Sequence, residues 1–184
     1  MSRDARPPTS KPPWSAPVAI RDVPETGRRF ELAAGDNVRA ALAESIGLRA
    51  LPRLNASFDV SRHGREGLHV VGRVSATVGQ TCVVTLEQVD NEIDEAVDLV
   101  FEPAPAVEVP HEDGGGSKVA ADDAPEPLVG GVVDLGVVAT EFLTLGIDPY
   151  PRKSGAEFAA PTADDDSAHP FAALAALKKG QSGS

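Results

Sequence analysis

The stretch of sequence that decides the fold is RLNASFDVSRHGREGLHVVGRVSATV, residues 53–78. Apolar and polar residues alternate along both halves of this stretch, and residues 63–67 between them (HGREG) have the composition of a turn. Successive side chains of a β-strand point to opposite faces, so each half predicts a strand with one buried and one solvated face. Two such strands joined by a short turn predict an antiparallel hairpin.

The alternation continues on both sides of the hairpin. Residues 81–87 show the same period of two, and residues 93–101 predict a further strand. Upstream, residues 18–20 and 28–32 can add one or two strands. The sequence therefore predicts an α+β fold, with an antiparallel β-sheet meander that is either open or barrel-like, two packed helices and disordered tails.

Two helices are predicted from their end signals. Asp36 and Asp134 stand where a carboxylate can cap a helix N-terminus, and Gly47 and Gly146 stand where a helix can end. The expected buried side of the first helix is formed by Val38, Leu42 and Ile46. The expected buried side of the second is formed by Leu135, Val138, Phe142 and Leu145.

Proline, glycine and acidic residues divide the chain into a domain and its tails. Residues 1–14 are predicted to be a disordered leader, and residues 15–158 a single domain. An acidic loop rich in Gly and Pro, residues 102–127, interrupts that domain. Residues 159–184 are expected to form an acidic linker followed by a short C-terminal helix.

The net charge of −11 is unevenly distributed, because residues 1–80 carry +4 and residues 81–184 carry −15. This balance excludes a uniformly basic protein that coats nucleic acid, since neutralising phosphates needs an excess of Lys and Arg. The arginines of the first half could still form a local phosphate-facing patch, but the sequence does not decide whether they converge. These are Arg21, Arg28, Arg29, Arg39, Arg49, Arg53, Arg62, Arg65 and Arg73.

Signals for an enzyme or a metal site are weak, so we expect a non-enzymatic protein without a cofactor. The chain has no G-x-S-x-G motif, and its histidines are scattered without helical spacing. The single cysteine excludes an internal disulfide. Cys82 is expected to be a buried thiol that packs as a small hydrophobe on the face of Val84 and Leu86, with a reactive nucleophile as the alternative. No apolar run reaches the roughly 18 residues of a membrane span, and no signal peptide is visible, so a cytoplasmic protein is expected.

Two segments suit binding better than catalysis. Residues 148–153 (DPYPRK) hold Tyr150 between two prolines, with Arg152 and Lys153 directly after them, and form either a recognition loop or a stiff loop whose tyrosine packs on the sheet. Residues 169–178 form an apolar stripe that docks either on its own domain or on a partner. The candidate binding residues of this second segment are Pro170, Phe171, Leu174, Leu177 and Lys178.

Taken together, these segments resemble the bacterial YceD family, the large ribosomal RNA subunit accumulation proteins. The similarity is found in the cysteine-containing segment 81–89, the following strand to Pro103, and the entry into the second helix at 125–128 and 133–136. It continues through residues 141–152 and closes with residues 169–178.

The resemblance implies a non-enzymatic factor that supports synthesis, processing or accumulation of 23S rRNA, or assembly of the large ribosomal subunit. Its partners would be ribosomal RNA or large-subunit ribosomal proteins, contacted indirectly or through a local patch. The alternative is a general protein-interaction adaptor that uses the C-terminal helix. Many members of the family carry C-x-x-C where this chain has Cys82 and Thr85, with a further Cys or His after the second helix. If those relatives bind zinc, this chain has lost the site.

Overall fold

The computed structural model describes residues 12–103 and 125–158, which contain seven strands and two α-helices. No helix in this part of the chain is long and apolar enough to cross a bilayer. The strands are β1 (Pro17–Ala19), β2 (Arg28–Ala33), β3 (Ala50–His63), β4 (Gly67–Thr81), β5 (Gln88–Glu102), β6 (Glu126–Pro127) and β7 (Val132–Asp134). The helices are α1 (Asp36–Ile46) and α2 (Leu135–Leu145).

The strands form two sheets, and the predicted α+β fold is confirmed. The larger sheet has the order β2-β3-β4-β5-β6, antiparallel except for the parallel pair of β5 and β6, while β1 pairs with β7 in a separate antiparallel sheet. The barrel-like form is not adopted by the described residues. A barrel requires its first and last strands to pair, whereas β2 and the two-residue β6 are opposite edges of an open sheet.

The hairpin of β3 and β4 is the centre of the sheet. The turn begins after His63, which is in register with Gly67, and Gly64 has the positive φ (59°) that such a turn favours. One face of the hairpin is buried, as its alternation predicted. Gly72 is in register with Phe58 on the neighbouring strand. Only glycine fits at position 72, because a Cβ there would overlap the Ser57 carbonyl and the Phe58 ring.

The core lies between this buried face and the two helices. α1 packs against β3, and α2 packs against β4 and β5. The largest fully buried side chains come from all of these elements and form one continuous cluster. They include Leu42, Leu54, Phe58, Leu68, Leu135 and Leu143.

The helix ends agree with the sequence at three of four positions. Asp134 caps α2 by accepting hydrogen bonds from the amides of Gly136 (3.0 Å) and Val137 (3.3 Å). Gly47 ends α1 with a left-handed φ of 73°, and Gly146 ends α2. The cap predicted at Asp36 is wrong.

Asp36 is the first residue of α1, and the residue before it, Gly35, is the cap and has no side chain to accept a hydrogen bond. The Asp36 carboxylate instead binds Arg39, with 2.6 Å between Oδ1 and Nη2. The negative charge still stands at the positive end of the helix dipole, which favours it there.

The buried side of α2 also differs from its prediction. Leu143 is fully buried, whereas Leu145 is 75% exposed and Phe142 is half-buried. Leu143 and Leu145 lie on opposite borders of the stripe that starts at Leu135, because each residue turns the helix by about 100°. Contact with β4 and β5 selects the border that carries Leu143.

Two predicted boundaries are displaced. Trp14, assigned to the leader, is only 7% exposed and belongs to the core cluster. Glu102 ends β5 and residues 126–127 form β6, so both ends of the predicted acidic loop belong to the sheet. The rest of that loop, residues 104–124, and the predicted C-terminal helix lie outside the described residues.

Candidate functional site

Residues 82–87 form a turn between β4 and β5, not the strand that their alternation predicted. The amide of Cys82 donates to the Glu87 carbonyl (2.8 Å), and the amide of Leu86 donates to the Cys82 carbonyl (3.0 Å). Leu86 has a φ of 61° and is 72% exposed, and Val84 is half-buried. The predicted common face of Cys82, Val84 and Leu86 is therefore wrong, since a strand cannot continue through a positive φ.

The 148–153 loop packs over this turn. The amide of Val83 donates to the carbonyl of Pro151 (2.9 Å), and Pro151 is buried. From β4, the side-chain amide of Gln80 donates to the carbonyl of Asp148 (2.7 Å) and accepts from Asn91 (2.8 Å). The backbone carbonyls of the loop thus attach it to the turn at Val83 and to β4 at Gln80.

Cys82 is buried where the turn and the loop meet. Its Sγ accepts hydrogen bonds from the amides of Val84, Thr85 and Lys153, each at 3.4 Å. The Lys153 amide, followed by the hydroxyl and amide of Thr85, lowers the pKa of the thiol to about 6 despite its burial. The thiol is buried, as predicted, but these donors stabilise a thiolate, and Cys82 is not part of the apolar core cluster.

The side chain of Lys153 forms an ion pair with Glu87 at the end of the turn. Its Nζ lies 2.8 Å from Oε2 of Glu87, and this contact raises the pKa of Lys153 and lowers that of Glu87. Both side chains are more than half exposed, so the pair adds little stability. The Lys153 ammonium therefore already has an anionic partner within its own chain.

Tyr150 and Arg152 project away from this anchored backbone. Tyr150 is 71% exposed, so the alternative in which the tyrosine packs on the sheet is wrong. Its amide donates to Oδ1 of Asp148 (2.9 Å), which helps to hold the backbone in place. Arg152 is also exposed. An exposed aromatic ring and a cation on a fixed loop are suited to binding.

The arginines of the first half do not form a continuous phosphate-facing patch. On the outer face of the sheet, Arg53 binds Glu92 (2.5 Å), Arg73 binds Asp94 (2.7 Å) and Arg29 binds Asp59 (3.1 Å). Elsewhere, Arg39 pairs with Asp36, Arg62 donates to the carbonyl of Val23, and Arg28 lies over the ring of Phe30. The centre of the outer face is consequently balanced in charge rather than basic.

β5 carries a row of carboxylates on this outer face. Its pairing with β4 spans residues 88–101, but β6 pairs with it only at Phe101 and Glu102. Among the described residues, the rest of the outer edge of β5 has no neighbouring strand. We call these carboxylates the β5 acidic row: Asp90, Glu92, Asp94, Asp98 and Glu102.

Two histidines, His63 and His69, contact this row. His69 Nε2 lies 2.6 Å from Oδ1 of Asp98, and His63 Nε2 lies 3.5 Å from Oε1 of Glu102. In residues 12–103 and 125–158, no three His, Cys, Asp or Glu side chains are grouped as metal ligands.

A zinc site of the kind that relatives with C-x-x-C could form does not fit these residues. Thr85 occupies the second cysteine position and offers its amide and hydroxyl to Cys82. The 148–153 loop, which supplies the nearest residues from beyond α2, contains neither Cys nor His. Cys82 alone cannot hold a zinc ion, which takes four ligands in structural sites.

The predicted site residues therefore divide into two groups. Tyr150, Arg152 and Lys153 lie together on the anchored loop, whereas the tail residues lie outside the described part of the chain. Sequence reasoning missed the anchoring roles of Gln80 and Glu87. The available signal was a polar residue, Gln80, on the otherwise apolar face of β4.

Comparison with known proteins gives one match. The family described as "Large ribosomal RNA subunit accumulation protein YceD" matches residues 70–178, more than half of the chain. No curated protein and no solved structure matches. The matched region includes β5, α2 and the 148–153 loop, and the name of the family implies a role in the accumulation of large-subunit ribosomal RNA. The chain thus belongs to the YceD family.

Proposed function

We propose that this protein supports the accumulation of 23S rRNA, through its synthesis or processing or through large-subunit assembly, by binding and not by catalysis. Its direct partner would be a basic ribosomal protein of the large subunit, in the cytoplasm. The family assignment supports the link to large-subunit rRNA. The observation that carries the choice of partner is the β5 acidic row beside an open strand edge.

The charges favour a basic protein over direct phosphate binding at the sheet. Arg53 and Arg73 are already paired with members of the β5 acidic row. The other members have amide or imidazole neighbours, so their negative charge is less compensated. Acidic surfaces attract basic partners and accelerate their association.

Direct contact with RNA would then be local. Tyr150 and Arg152 supply one ring for stacking and one cation on an anchored loop. The area is too small to follow an RNA backbone, which needs a groove or stripe of cations. This contact would add to the binding of a ribosomal protein and would not replace it.

The first experiment is capture at low salt with the full chain, followed by identification of the bound proteins and RNA. We expect enrichment of basic large-subunit proteins, released steeply as salt rises. Depletion of the protein in its source organism should lower 23S rRNA relative to 16S rRNA. Unchanged 23S rRNA would contradict the function, and capture of only non-ribosomal proteins would favour the adaptor alternative.

A charge variant tests the surface itself. Asp90→Asn with Asp98→Asn should slow association with the captured ribosomal protein and flatten its salt dependence. The matched control, Glu31→Gln with Asp59→Asn, removes two carboxylates from the β2 side of the same face. It should leave the association rate and its salt dependence unchanged. Equal effects of the two variants would assign the attraction to net charge and not to β5.

A further inference from the structure

An apolar groove runs along the exposed side of α2. It consists of two adjoining cavities, of about 480 Å³ and about 400 Å³, which share Val137, Glu141 and Leu145 as lining residues. Pro12 and Pro13 bound the first cavity, and the strands β5 to β7 bound the second. We call the two cavities the α2 groove.

Large apolar side chains stand open to solvent along this groove. Leu145 and Val129 are each more than 70% exposed, and Val132 is also exposed. Contiguous exposed apolar surface of this kind is uncommon on a soluble domain unless something covers it. The groove therefore needs an occupant with an apolar stripe.

A negative charge lies at the centre of the groove. Glu141 lines both cavities, and its partial burial, together with the nearby Glu126, raises its pKa. Among the described residues, no Lys or Arg forms an ion pair with Glu141. An occupant that brings a cation beside Glu141 would offset both the burial and the repulsion.

The chain itself contains a segment with these properties. Residues 169–179 carry Phe171, Leu174 and Leu177 at helical spacing, followed by Lys178 and Lys179. The family match extends to residue 178, so this segment belongs to the family pattern and not to a variable end. Alone, a helix of this length is marginal in water, so it needs a surface on which to fold.

The linker is long enough to reach the groove. Ten residues, 159–168, separate the end of the described chain from His169 and can span roughly 33 Å when extended. A domain of about 130 residues has a radius of gyration of roughly 14 Å, so most of its surface is within reach. Tethering also gives the segment an effective concentration in the millimolar range.

We propose that residues 169–179 dock as a short helix in the α2 groove of their own chain, with Phe171, Leu174 and Leu177 against Leu145 and Val132 and with Lys178 or Lys179 beside Glu141. A second copy of the domain fits less well, because pairing two α2 grooves would place Glu126 and Glu141 of one copy against those of the other. The inference is independent of the partner proposed for β5.

Amide hydrogen exchange of α2 in the full chain tests the docking. Phe171→Ser with Leu174→Ser should speed exchange of residues 137–145 by about tenfold or more, because the groove loses its cover. The control, Ala172→Ser with Ala176→Ser, changes two residues off the apolar stripe of the same segment and should leave exchange unchanged. Equal exchange in the full chain and the Phe171/Leu174 variant would overturn the proposal.

Charge reversal provides a second test that does not depend on apolar residues. Glu141→Lys, and separately Lys178→Glu with Lys179→Glu, should each speed exchange of α2, and the combined variant should recover the protection. Protection should also be independent of protein concentration. Protection that rises with concentration would assign the groove to a second copy, and absence of recovery in the combined variant would contradict the ionic contact.

Discussion

Cys82 is held by backbone donors from two segments that are distant in the chain. Two of its amide donors belong to its own turn, and the third, from Lys153, is 71 residues away. The Lys153 amide, then the Thr85 hydroxyl and the amides of the turn, lower the pKa of the thiol to about 6. The thiolate is therefore a pH-dependent link between the 82–87 turn and the 148–153 loop.

This link predicts a contribution to stability that depends on pH. The folded-state pKa of Cys82, about 6, lies below its value of roughly 8.5 in an unfolded chain. The stabilisation is thus fully present above the unfolded value and is lost as the pH falls through the folded one. The free energy of unfolding, relative to Cys82→Ala, should rise between about pH 6 and pH 9.

Denaturant unfolding of both proteins across this pH range measures the difference. Glu87→Gln is the control, because it removes the partner of the Lys153 ammonium but leaves all three amide donors to Cys82. That variant should keep the rise with pH. Parallel curves for the original protein and Cys82→Ala would show that the thiol does not ionise preferentially in the folded state.

At the scale of single elements, Asp134 joins α2 to the N-terminal segment. Besides capping α2, its carboxylate accepts hydrogen bonds from the amide of Ala16 (2.7 Å) and the hydroxyl of Ser15 (2.6 Å). One side chain thus satisfies two free amides at the helix N-terminus and orients the chain as it enters β1.

We expect Asp134→Ala to lower the free energy of unfolding by about 2 kcal/mol or more, because a helix cap and a partly buried amide partner are lost together. Ser15→Ala removes only the exposed hydroxyl and should change stability by less than about 0.5 kcal/mol. Chemical denaturation of the two variants measures the contrast. Equal stabilities would mean that water replaces the carboxylate at the amides.

The strands and helix ends show which structural features can be predicted from neighbouring residues in the sequence. Alternation identified β3, β4 and β5, and the Asp134 and Gly47 signals identified helix ends, because each depends only on neighbours in the chain. Alternation failed at the 82–87 turn. An apolar residue at every second position is also compatible with a turn, and hydrogen bonds within residues 82–87 and from the Val83 amide to the Pro151 carbonyl of the 148–153 loop favour the turn.

At the scale of the whole molecule, the acidic loop connects two strands, β5 and β6, that are already adjacent. β5 ends at Glu102 and β6 begins at Glu126, and Phe101 is in parallel register with Glu126. Neighbouring strands lie about 4.8 Å apart, so a short connection suffices. The amide of Leu128 also donates to the carbonyl of Glu102, which fixes the return of the chain.

Replacing residues 104–124 with about six Gly and Ser residues should leave the fold intact and change the free energy of unfolding by about 1 kcal/mol at most, since closure entropy varies slowly with loop length. As a contrast, deleting residues 125–128 removes β6 and the buried Leu128 and should be strongly destabilising. Circular dichroism and denaturant unfolding measure both. An unfolded short-loop variant would show that the insertion is part of the domain.

The candidate site was only partly predictable, because its ion pairs join residues from different strands and loops. The sequence predicts Tyr150, Arg152 and Lys153 as a binding segment, but not that Glu87 pairs with Lys153 or that carboxylates of β5 pair with Arg53 and Arg73. Whether these charges are free or paired depends on strand register. Register is a property of the assembled sheet.

By itself, the sequence determined the two faces of the sheet, the start of α2, the end of α1 and the concentration of negative charge in the second half. These features depend on residues two to four positions apart, where strand and helix geometry act directly. The tertiary structure alone decided that Leu143 and not Leu145 enters the core, that Arg53 and Arg73 pair with carboxylates of β5, and that Cys82 meets the amide of Lys153. Those contacts join residues tens of positions apart, and only packing of the whole sheet and its helices brings them within hydrogen-bond distance.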